Sequence, residues 1–139
     1  MEIADVKRRV VDTIERAKRR AGERRTRADE AAKAFDLLLV NTIVPVFRQV
    51  ANVLKSEKYP FDIFTPGASV RLVAEKAPED FIEIALDSTG DEPAVILHTK
   101  RARGRRVIES EQAVGDPATL TDDEILRLVL TALEPFVER

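Results

Sequence analysis

The chain has no cysteine, no tryptophan and one histidine in 139 residues. Without thiols it can form no disulfide, no CxxC redox motif and no cysteine nucleophile. One imidazole excludes zinc fingers and every site that needs two histidines. One tyrosine and six phenylalanines leave few platforms on which bases could stack, so base-specific or single-strand nucleic-acid recognition is a poor fit. The five glycines, at 22, 67, 90, 104 and 115, form neither a P-loop nor GxGxxG and give no support to nucleotide phosphate binding. No apolar run of about 18 residues stands out, and the opening stretch with Lys7, Arg8 and Arg9 has no apolar leader core. The expectation is a cytoplasmic protein without a membrane span.

What the chain has in excess is charge. Charged residues make up 35%, against about 25% in an ordinary globular domain, which points to long exposed helix or much solvated surface. The charge lies in blocks. Residues 1–27 hold ten basic against five acidic groups, and residues 28–99 hold six against twelve. Residues 100–106 hold five basic groups and no acid, and residues 107–139 hold two against eight. A net charge of −2 hides this alternation. The acidic balance argues against a dedicated nucleic-acid binder, while the basic segments can still meet phosphates or an acidic protein surface.

The first third reads as helix. Ile3, Val6, Val10, Ile14, Ala17 and Ala21 recur in steps of three or four along one narrow stripe. Ala28, Ala31, Phe35 and Leu38 resume it in the rhythm of a coiled coil or helix pair. The other face is charged, with acid-first i,i+4 pairs Asp5/Arg9, Asp12/Arg16, Glu15/Arg19 and Glu23/Arg27, each contributing about 0.2–0.5 kcal/mol in an isolated helix. Gly22 is a poor helix former, and Thr26 with Asp29 resembles a loose capping box, so two helices or one kinked helix are expected. Residues 35–55 are much more apolar and read as the core helix. Pro45 should kink it or restart it, with Asn41 or Thr42 as the cap.

From Tyr59-Pro60 onward the period shifts toward two, with turn signals about ten residues apart, which is the pattern of an antiparallel meander. Strands are expected at 61–64, 70–75, 82–87 and 94–100, with a weaker fifth at 106–112. Ala77-Pro78-Glu79-Asp80 is expected to connect the second and third. Arg101 to Arg105 is expected as a basic hairpin tip. Thr121-Asp122-Asp123-Glu124 is a capping box with acids at the positive end of the helix dipole, and Ile125, Leu128, Val129, Ala132, Leu133 and Phe136 supply an apolar face behind it. Pro135 should fray or bend the last turn. The predicted architecture is α+β: a helical N-terminal arm over residues 1–27, then one α+β domain over 28–139 with a four- to five-stranded antiparallel meander and a C-terminal amphipathic helix.

Candidate chemistry is thin. His98 falls in a strand beside Ile96 and reads as structural. Thr65, Ser69, Ser88 and Thr89 sit among turn residues, where bonding to nearby backbone is the ordinary role, and none lies in a GxSxG or SxxK setting. Asp87, Asp91 and Glu92 lack calcium-loop spacing. No catalytic, cofactor-binding or metal-binding residue is expected. Two features remain as binding elements. The stripe Ile3, Val6, Val10, Ile14, Ala17 and Ala21 is the expected oligomerisation surface, and Lys100, Arg101, Arg103, Arg105 and Arg106 are the expected partner-binding group.

In architecture alone the pattern is similar to that of dimeric secretion or assembly chaperones, a likeness of fold that implies little about function. The expected role is a non-enzymatic homo-oligomeric protein-binding module, adaptor or chaperone-like, acting as a homodimer without a cofactor. The alternative is an accessory protein that contacts nucleic-acid backbone through the basic helix and hairpin, and the third is an enzyme of unrecognised type.

Overall fold

The computed structural model describes residues 1–138. Helix α1 (Ile3–Leu38), a π-helical turn (Leu39–Ile43) and helix α2 (Val44–Ser56) follow one another without a break. Together they form one run of 54 residues, about 80 Å long at 1.5 Å per residue. The expected interruption near Gly22 is absent. Thr26 Oγ1 bonds back to the Gly22 carbonyl at 3.1 Å instead of capping a new helix. Nor does the chain restart at Asn41 or Thr42. The Val44 N–H reaches the Leu39 carbonyl, five residues back, and this wider turn relieves the clash that Pro45 would make with a regular α-helix.

By length and composition this helical run could also cross a membrane, contrary to the reading of run length in the sequence. The inward face of its apolar part, with Phe35, Leu38, Ile43, Phe47, Val50 and Leu54, is buried as protein core. The end of α2 is closed by a left-handed residue, Lys58 at φ 71°. Tyr59 N–H bonds the Leu54 carbonyl and Lys58 N–H the Lys55 carbonyl, a Schellman arrangement that turns the chain into the sheet.

The sheet is an open five-stranded antiparallel meander in the order β1 (Phe61–Phe64), β2 (Ser69–Ala74), β3 (Ala77–Asp87), β4 (Ala94–Arg103), β5 (Arg106–Gly115). Three strands, β3, β4 and β5, are longer than expected. β3 already begins at Ala77, so Pro78 lies inside a strand, next to the register shift after Val73, where a missing donor is tolerated. β5 continues to Gly115, and only Gly104 and Arg105 separate it from β4. Gly104 has φ 63°, the left-handed geometry that lets a two-residue hairpin close at low cost.

Helix α3 spans Asp122–Val137, and Thr121 Oγ1 accepts the Glu124 N–H at 3.2 Å, as the capping signature predicts. The core lies between the helices and one sheet face. Val70, Leu72, Ile82, Ile84 and Val95 rise from the sheet to meet Phe35, Ile43 and Phe47 from the long helix and Ile125 and Val129 from α3, all fully or almost fully buried. Each such side chain contributes about 1.5–3 kcal/mol of transfer free energy. Phe61 and Phe136 meet edge to face at 6.3 Å, tying β1 to the end of α3.

Candidate functional site

The arm carries the first feature that folding leaves unsatisfied. Ile3, Val6, Val10 and Ile14 are 87, 42, 51 and 48% exposed, and Ala17 beside them is exposed as well. The stripe sinks toward the body at Ala21, Ala28 and Ala31 and becomes core at Phe35. The same helical face that builds the core therefore continues outward with nothing against it. Few of the acid-first pairs hold the charged flank. Asp5 bonds Arg8 at 2.6 Å and Arg9 at 3.3 Å, while Arg27 turns away from Glu23 to the Asp91 carbonyl at 3.2 Å and Arg24 reaches Asp91 at 3.5 Å. These contacts brace the root of the arm against the β3–β4 loop.

The basic hairpin is the second feature, and the structure divides its five residues. Lys100 lies within β4, opposite Glu109, as expected, but Arg101 and Arg103 also lie within β4, opposite Ile108 and Arg106, rather than in the hairpin tip. Strand alternation puts Arg101 and Arg103 on the helix-facing side of the sheet, joined there by Arg106 opposite Arg103, whereas Lys100 faces the other way with His98. Among the described residues none of the five makes an ion pair. Arg101 and Arg103 share a hollow with Pro135 and Glu138, at the end of α3 where the helix dipole is negative.

Sequence reasoning did not find the third feature, a groove of about 420 Å³ between β4–β5 and α3. Leu97, Thr99, Ile108, Ser110, Gln112 and Val114 form its floor, and Leu128, Thr131, Ala132 and Pro135 form its wall. It exists because α2 packs on β1 and β2 and α3 on β3. A helix about 10 Å wide covers about two strands spaced 4.8 Å apart, so two helices leave the fifth strand bare. Arg106 through Ala113 are all exposed. The alternation Ile108, Ser110, Gln112, Val114 was the available signal, but only the packing shows that no helix lies over it.

The open face of the sheet carries a polar network. His98 Nε2 lies 2.6 Å from Glu109 Oε1 and 3.9 Å from Glu111, and its Nδ1 lies 3.7 Å from Glu83. Arg71 Nε donates to Glu83 Oε2 at 2.5 Å and lies over the Phe81 ring at 4.2 Å. Phe81 in turn meets His98 edge to face at 5.1 Å. His98 shares this face with Ile96, as alternation predicts, but the carboxylates around it come from β3 and β5 and depend on register. Among the described residues no group of three or more His, Asp or Glu side chains is arranged to hold a metal ion.

Of the four hydroxyl residues, Thr89 bonds its own loop and Ser69, at the start of β2, bonds both its loop and β3. Thr89 donates both its N–H and its hydroxyl to Asp87, and these bonds hold the Asp87 carboxyl below its ordinary pKa. Buried Ser69 bonds the Pro66 carbonyl at 3.2 Å and Glu83 at 3.4 Å. Asp91 and Glu92 face Arg24 and Arg27. Compared with known proteins, the chain matches no family model, no curated protein and no solved structure.

Proposed function

We propose that this protein is a non-enzymatic binding module, adaptor or chaperone-like, that acts as a homo-oligomer, most simply a homodimer in the cytoplasm, and presents its basic hairpin to a second protein. One observation carries this reading: an amphipathic arm whose apolar stripe stands in solvent although the same face forms the core farther along. A stripe of that length left in water is a contact surface or an aggregation liability. The test is sedimentation equilibrium of the full chain at micromolar concentration. A mass near twice 15.6 kDa is expected, and a clean monomer overturns the reading.

A second reading is favoured by the hairpin arginines, which find no carboxylate partner among the described residues. In it the same surface contacts nucleic-acid backbone without reading sequence. Titration of duplex DNA across a salt series separates the two.

A further inference from the structure

We propose that the groove between β5 and α3 receives the arm of a second copy of this chain, so that each protomer completes the helical layer of the other. The inference rests on the self-association proposed above and names the surface that would serve it. The molecule has a helix with no sheet beneath it and a strand with no helix above it. The arm's apolar stripe from Ile3 to Ala21 spans about 27 Å and the 16 residues of α3 about 24 Å at 1.5 Å per residue. An arm laid beside α3 therefore fills the layer from end to end.

The chain cannot fill the groove with its own arm. The arm is the outward continuation of a helix that runs unbroken into the core, and Arg24 and Arg27 hold its root against the β3–β4 loop. From there it points away from the body. Folding it back would break the helix. A twofold axis normal to the sheet, with the two β3–β4 ends facing each other, instead directs each arm toward the other protomer and antiparallel to its α2.

Charge supports that direction. The start of the arm carries Glu2 at its N-cap, and Asp5, already bonded to Arg8 and Arg9, in its first turn; this end would meet Arg101 and Arg103 at the hairpin end of the groove. The following basic run, including Arg19 and Arg20, would meet the acidic start of α3, where Asp122 and Glu124 stand beside Asp123, itself paired with Arg127. Ile108 and Leu128, at the groove's floor and wall, supply apolar contact for the stripe. Arms paired only with each other would bring together two segments that each hold ten basic and five acidic groups, and would leave the groove open.

The absence of cysteine makes cross-linking clean. Val10→Cys and Thr131→Cys, each in the full chain, are mixed and oxidised, and Ser110→Arg is examined by sedimentation together with its thermal melt. A disulfide between the two variants, and a dimer weakened about tenfold or more by a Ser110→Arg chain that still melts cooperatively, is the expected result. A dimer that links Val10→Cys only to itself, or that ignores a folded Ser110→Arg, overturns the groove while leaving self-association intact. A monomer under every condition overturns both. Should Ser110→Arg fail to fold, the cross-link pattern alone decides.

Discussion

His98 on β4 and Glu109 on β5 approach to 2.6 Å although they are not directly opposite in the ladder, where His98 faces Glu111 and Glu109 faces Lys100. This diagonal contact closes a chain that runs Arg71, Glu83, His98, Glu109 across four strands. Glu83 is its most shielded carboxylate, with a side chain 13% exposed. Arg71→Ala should cost about 1–3 kcal/mol, because it leaves Glu83 poorly hydrated without its closest cation and uncovers Phe81. His98→Ala should cost about 1 kcal/mol, the usual net value of one hydrogen bond. Urea unfolding of both variants checks the order. A larger loss for His98→Ala would show that the imidazole, and not the guanidinium, anchors the face.

Gly22 sits in uninterrupted helix, and a methyl group there would meet nothing within 4 Å. Gly22→Ala should raise helicity and stabilise the arm by about 1 kcal/mol. Circular dichroism and thermal melting test this, and a loss of helicity would mean that the backbone bends at Gly22 in solution.

The start of α3 depends on one hydroxyl. Thr121→Ala removes the acceptor of the Glu124 N–H and should destabilise the protein by about 1 kcal/mol, whereas Thr121→Ser should retain most of it. Equal losses for the two variants would exclude capping as the cause.

Lys55 on α2 bonds Asp62 on β1 at 2.9 Å. The hydrogen bond to Asp62 raises the Lys55 pKa above 10.5, and the bond to Lys55 holds Asp62 below 3.8. The carboxylate's contribution is present above its unfolded value and fades as pH falls through the lowered one. The amine's is present below its unfolded value and fades as pH rises through the raised one. The stability difference between the native chain and Asp62→Asn should therefore be flat from about pH 5 to 9 and shrink at both extremes. Urea midpoints across pH measure it, and a slope within the neutral window would assign the effect to another group.

Reversing Arg103 and Arg105 to Glu alters a tip that is exposed and unpaired among the described residues. The melting temperature should stay within about 2 °C of the native chain, since surface changes of this kind lie within about 0.5 kcal/mol. Fluorescence anisotropy with duplex DNA at physiological salt should show no binding by the native chain. Binding that falls steeply with salt and vanishes in the variant would favour the nucleic-acid reading instead.

The α+β class, the meander, the Thr121 cap and the apolar face of α3 were all legible in the sequence, because each rests on short-range periodicity or local hydrogen bonding. The stripe from Ile3 to Ala21 was legible for the same reason. Helix continuity was harder to read. Gly22 and Pro45 weaken local helix formation, yet the regular helix on both sides carries the chain through one and a π turn carries it past the other. Propensity alone does not include those remedies.

Register, facing and coverage belonged to the tertiary structure. Arg101 and Lys100 are neighbours in the chain, but the pleat sends them to opposite faces, so five basic residues in sequence do not make one patch. Glu83, His98 and Glu109 are 26 residues apart from first to last and meet only because three strands align. The bare floor of β5 follows from how many strands two helices can span, a property of the packed layers that no stretch of the chain encodes by itself.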